Sequence, residues 1–274
     1  MSQTAQSWLD DLNSLYTPLA THFDAAESHR YSIEYRLDYD FGVSEMFEIG
    51  SLRHGTGIWQ FSDADYLVAL EVPRPQYPDT MLDKVKSSLQ ARFPGTTTVT
   101  RRPAVVCQFS DCDVEVVPGY RGDYGYWIAD PTGGWMLTHP KDHNEYVNKV
   151  NNKHNGAVKK LARQLKVWKY KRNVPISSCY LEMRAAKYME GETAYVPLID
   201  LARVLRGLRD VNLASMNDPT GLGSRFNACS SDSNRIDALS KLGTAVDRAD
   251  KALSYWNSDN HDKAIEQLKL LFNR

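Results

Sequence analysis

The chain has 274 residues, 42% of them hydrophobic and 24% charged, and a formal net charge of −1. That is the composition of an ordinary globular protein, long enough for one large domain or two lobes sharing a core. Near-neutrality excludes a globally basic nucleic-acid coat; no apolar run approaches the ~20 residues of a membrane helix, and the opening residues lack the basic-then-apolar pattern of a signal peptide.

In chain order, Trp8, Leu12, Leu15, Leu19 and Phe23 recur near helical spacing and predict one long amphipathic helix within residues 5–30. Residues 46–49 predict a short strand running into Gly50-Ser51. Residues 63–72 read as a strand that begins polar and becomes buried, and 80–93 as a helix stopped by Pro94-Gly95. Three β-rich runs follow at 96–102, 104–109 and 112–118, the last two flanking a turn at Ser110-Asp111. Beyond Pro140 the pattern is helical, with helices near 142–153, 156–172, 177–190, 196–210, 233–256 and 260–272, and a polar loop over 211–232. The expected architecture is α+β: a mixed sheet flanked by helices over residues 1–140, then a helical lobe over 141–274. Cys107, Cys112, Cys179 and Cys229 form no CxxC pair, which argues against zinc and for free thiols in a reducing cytoplasm.

The acids carry the first chemical signal. Residues two apart on a strand face the same way, so Asp63 and Asp65 project together, as do Asp113 and Glu115. Buried carboxylates are costly unless paired or bound to a cation. Acids converging from adjacent strands suit magnesium, and two such ions can clamp a phosphoryl transfer. Gly50 lets the backbone approach a phosphate closely, and the Ser51 hydroxyl can donate to it. The competing reading is a strand end that happens to carry surface acids.

The second signal is basic. Residues 141–172 hold ten Lys/Arg against two acids. Val158, Leu161, Leu165 and Trp168 form an apolar stripe, while Lys159, Arg163, Lys166 and Tyr170 share another face, which could hold a triphosphate opposite the metals. A solvated cationic surface is the alternative. His139, His143 and His154 read as surface or loop histidines, and Trp59 as either a cleft residue or a packing residue of the Gly-Ser loop.

The run "GS…GT…SDAD", followed by an apolar strand and an acid before Val116-Val117-Pro118, resembles the polymerase-β-type nucleotidyltransferases. More narrowly, it is similar to 2′-5′-oligoadenylate synthases, cGAS and the bacterial cGAS/DncV-like enzymes (CD-NTases). The resemblance implies a polymerase-β-like lobe, a helical lobe and an active site in the cleft between them. It makes Gly50 and Ser51 the phosphate-binding pair and Asp63, Asp65 and Glu115 the ligands of two Mg2+ ions, with Mn2+ as substitute. The family usually has aspartate at position 115, so Asp113 stays open as the third ligand. The stretch "LARQLKVW" and the later "SSCYLE" imply nucleotide contacts from Arg163, Lys166, Ser178 and Tyr180, Tyr180 also reading as a core aromatic. Asp218, Pro219 and Asn227 match a late loop of the bacterial enzymes. The implied activity joins nucleoside triphosphates into a cyclic di- or trinucleotide messenger, with release of pyrophosphate. Its implied setting is anti-phage signalling through a separate effector that binds the product, without direct double-stranded DNA binding. Transfer to a macromolecule (a tRNA 3′ end or a protein) and a degenerate nucleotide-binding sensor are the competing functions.

Overall fold

The structure, a computed structural model, describes residues 3–19, 21–59, 61–223 and 225–274; Ser224 of the late loop and the Phe23 side chain lie outside that description. The expected single N-terminal helix is two: α1 (Ala5–Leu15) and α2 (Thr21–Phe41). Thr4 opens α1 by accepting the Ser7 amide on its hydroxyl at 3.1 Å. Pro18, which cannot donate to a helix, falls in the interruption.

That break sends the two helices to different cores. Trp8, Leu9 and Leu12 of α1 join the core of the helical lobe, with Trp8 5.9 Å from the Phe272 ring, whereas Ile33 and Leu37 of α2 pack on the sheet beside Met46. The first helix thus packs in the core of the C-terminal helices, across the boundary expected at residue 140.

The sheet elements are β1 (Val43–Ile49), the four-residue α3 (Gly50–Arg53), β2 (Ala64–Leu70), α4 (Pro78–Arg92), β3 (Thr97–Arg101), β4 (Ala104–Gln108), β5 (Asp113–Gly122), β6 (Gly125–Ala129) and β7 (Trp135–Thr138). The order is β1-β2-β5-β4-β3, with β6 on β5 and β7 on β6. All the named pairings are antiparallel except β2 with β5. A parallel pair needs a long crossover; α4, β3 and β4 supply it. β6 and β7 are absent from the sequence reading because runs of five and four residues are too short to establish an alternation.

The helical lobe comprises α5 (Pro140–Lys153), α6 (Ala157–Lys171), α7 (Ser178–Glu190), α8 (Pro197–Asp210), α9 (Asp232–Asn257) and α10 (His261–Phe272). Each falls within two or three residues of its predicted span, and Ser177, Ser231 and Asn260 cap α7, α9 and α10 with side-chain acceptors. Burial runs round most of α6, from Ala157 to Trp168, because α1, α5, α7, α8 and α10 all pack against it.

Leu12 is fully buried and Leu15, on the same helix, is 47% exposed. Leu12→Ala is expected to cost about 2–5 kcal/mol in denaturant unfolding, and Leu15→Ala no more than about 0.5 kcal/mol. Equal losses would contradict the seating of α1 in the helical core.

Candidate active site

The site begins where β1 ends. Gly50 has φ +67°, and a Cβ placed there would lie 2.3 Å from Asp65 Oδ2. Only glycine satisfies both demands. The turn therefore passes directly over the carboxylate, and Ser51 follows with its hydroxyl 3.2 Å from Ser62 Oγ. The Ser51 carbonyl accepts the Thr56 amide at 2.9 Å, closing the loop on itself.

Below the turn, the parallel register places Asp65 beside Glu115. Asp63, Asp65 and Glu115 are close enough for their charges to act on one another. Burial pushes the Asp65 carboxyl well above the carboxylate range, and the charges of Glu115 and Asp63 push it further. Burial raises Glu115 as well, with Asp63 adding to it and Arg101 opposing it from 3.8 Å. For Asp63 the cause is again burial, followed by Asp113. Neighbouring carboxylates whose ionisation is opposed by burial and by one another suit a hard divalent cation. Asp63, Asp65 and Glu115 all line one cavity of about 440 Å³ between the lobes; Asp113 does not.

Helix α6 contributes to the opposite wall, and two of its cations, Lys166 and Arg163, are committed inside the protein. Lys166 is fully buried and donates to Glu182 Oε1 at 2.6 Å and to the Thr56 carbonyl at 3.0 Å. Glu182 also accepts Thr56 Oγ1 at 2.6 Å and lies 2.9 Å from His54 Nδ1. Burial alone would raise the Glu182 carboxyl, but Lys166 and His54 hold it far below the ordinary carboxylate range. Arg163 lies outside the cavity and donates to the carbonyls of Gly57 (3.1 Å) and Gly55 (2.9 Å). Arg163 and Lys166 are thus no solvated face; they grip the loop that follows the Gly-Ser turn.

Ser178 and Tyr170 line the cavity, and Tyr170 stacks on Phe61 with centroids 5.0 Å apart and planes 10° off parallel. Tyr180 does not reach it; its ring is buried and its hydroxyl donates to the Ala214 carbonyl at 2.8 Å. Trp59 is not among the lining residues. Two of the three histidines read as surface groups are buried: His139 is 2% exposed, and His143 pairs with Asp218 at 2.7 Å. That pair ties the late Asp-Pro loop to α5, and the Asp218 carboxyl is held at about 2, against its own burial, by His143 and Thr220. Asn227 lines a separate surface pocket with Arg235.

Sequence reasoning missed Lys169, whose ammonium donates to Ser178 Oγ at 2.7 Å beside the Tyr170 ring. Its hydrogen bond goes to a hydroxyl rather than to an acid. Burial, reinforced by neighbouring Lys166, pushes its pKa down to about 8. It also missed Glu182 and His54, for which a single sequence carries no spacing signal.

Residues 3–151, just over half the chain, match the family described as Second Messenger Oligonucleotide or Dinucleotide Synthetase domain, SMODS. A probable cyclic nucleotide synthase of Bacillus cereus (strain VD146) is 26% identical over 206 residues, covering 70% of this chain and 61% of that protein. A cyclic AMP-AMP-AMP synthase of Acinetobacter sp. is 28% identical over 179 residues, covering 61% of this chain and 52% of that one. The chain thus spans between about half and three-fifths of these curated relatives. Among solved structures, Escherichia coli MS115-1 CdnC with ATP superposes with a TM-score of 0.78 at 17% identity, over 98% of each chain, a likeness of fold. On the family match, carried by the half of the chain that holds the Gly-Ser turn and the acids, this chain belongs to the SMODS family, the cGAS/DncV-like nucleotidyltransferases.

Proposed function

We propose that the chain is a magnesium-dependent nucleotidyltransferase that joins nucleoside triphosphates into a cyclic di- or trinucleotide and releases pyrophosphate. One observation carries the reading: Asp65 and Glu115 sit side by side on parallel strands beneath the Gly50 turn, with Asp63 joining them in the interlobe cavity.

Asp63, Asp65 and Glu115 would hold the divalent cations, two by the family pattern. Those ions would supply positive charge to the polyphosphate and acidify the attacking hydroxyl. The protein's own groups orient the substrates. Ser51 Oγ stands at the turn where a donor phosphate approaches, and Ser178 with Lys169 behind it faces the acids across the cavity. The stacked Phe61–Tyr170 pair offers a flat apolar surface to a nucleobase. The cavity walls would hold an acceptor hydroxyl in line with the reacting phosphate.

The inward commitment of Arg163 and Lys166 disfavours the basic helix as a polynucleotide track. The proposed setting is bacterial anti-phage signalling, in which a separate effector binds the product. Among the described residues, no helix is long and apolar enough to cross a membrane.

Mass spectrometry of products formed from all four nucleoside triphosphates tests the activity. We expect a phosphatase-resistant low-mass product that vanishes in Asp63→Ala/Asp65→Ala. Label appearing only on added RNA or protein would favour transfer to a macromolecule, and triphosphate binding without pyrophosphate would favour a sensor.

The two lysines separate under mutation. Lys169→Met should raise KM for the triphosphate about 10- to 100-fold, the value of a charged hydrogen bond, with Tm unchanged. Lys166→Met should cost about 3–5 kcal/mol of stability, because it strands buried Glu182. Only protonated Lys169 attracts phosphate, so KM in the wild type should climb as pH rises through about 8. A flat profile from pH 7 to pH 9 would remove Lys169 from the triphosphate site.

A further inference from the structure

The fold assembles a second set of potential ligands, on elements far apart in sequence. His29 lies on α2, while Asp111 and Cys112 lie in the turn between β4 and β5. One ligand atom from each falls within 4.8 Å of the other two, and His29 Nε2 is 2.8 Å from Asp111 Oδ1. The His29 ring is fixed in orientation by Phe109, stacked at 3.7 Å with planes 2° apart. Cys112 is half-buried, Asp111 exposed, and the thiol is free of any disulfide.

We propose that His29, Asp111 and Cys112 form a zinc-class cation site pinning α2 to the β4–β5 turn. The donor set decides the class of ion. Imidazole, thiolate and carboxylate together suit a borderline ion such as Zn2+, whereas Mg2+ takes oxygen. A neutral imidazole, a carboxylate and a thiolate sum to a charge of minus two, which a divalent ion cancels. Tetrahedral zinc places its ligand atoms about 3.3–3.8 Å apart, inside the 4.8 Å that bounds these three atoms. The cysteine binds as thiolate, so its proton passes to bulk water as the sulfur–metal bond forms. Three protein ligands leave the fourth position of the tetrahedron to water. The turn leads directly into Asp113 and Glu115, so an ion here steadies the start of the strand that carries an acid of the interlobe cavity.

The CxxC criterion could not see this site: its histidine and cysteine are separated by most of the sheet lobe. The inference is independent of the proposed activity, since its readout is spectroscopic. Chelator-treated full-length protein is titrated with Co2+ while the near-ultraviolet thiolate-to-cobalt band is followed. The band should saturate at one equivalent and disappear on adding Zn2+. It should be absent in Cys112→Ser, weakened about tenfold or more in His29→Ala, and retained in Cys179→Ser and Asp63→Ala/Asp65→Ala. No thiolate band, or one that survives Cys112→Ser, would reduce the cluster to a His29–Asp111 hydrogen bond and overturn the proposal.

Discussion

The cleft depends on one buried carboxylate, Glu182. It accepts from Lys166, Thr56 and His54 together, and so ties α6 and α7 of the helical lobe to the loop following the Gly-Ser turn. Burying an ion pair is expensive, and attraction between the two charges barely offsets the lost hydration unless further hydrogen bonds complete the geometry. Here the Thr56 hydroxyl and carbonyl, together with the His54 ring, supply them. Such a network has few alternative arrangements, which favours a cavity of fixed shape over two lobes that slide.

Around that fixed wall the charges are sorted by side. The sheet contributes acids whose ionisation is opposed by burial and mutual repulsion, while α6 contributes Lys169, whose charge is opposed by burial. Each half is unsettled when it stands alone. A polyphosphate carrying divalent cations would settle both, ionising the acids and keeping the lysine charged. Arg163 takes no part in that exchange; by holding the Gly55 and Gly57 carbonyls it fixes the loop that presents Ser51.

Much of this was legible in the residues. The period-two acids Asp63 and Asp65 and the glycine before Ser51 point to the sheet side of the candidate cavity, which they line, since a strand and a tight turn are local devices. Helices α5 to α10 follow from apolar periodicity, with serine and asparagine caps marking the starts of three of them. What failed was non-local. Helical spacing ran across Pro18 because apolar residues continue on both sides, and nothing local says that α1 crosses to the other lobe. A cation count over 141–172 cannot tell Lys166, buried against an acid sixteen residues on, from Lys169, bonded to a hydroxyl. Tyr180 and Ser178 are two residues apart on one helix, and that separation turns one into the core and the other into the cavity.

Asp63, Asp65 and Glu115 lie close enough for burial and mutual repulsion to raise their carboxyls, and a hard cation relieves both. The direct measurement is Mg2+ affinity by isothermal titration calorimetry in the wild type and in Asp65→Asn. The account requires Mg2+ to bind the wild type and binding to be lost in Asp65→Asn. Binding that Asp65→Asn leaves unchanged would place the cation elsewhere and contradict the site as described.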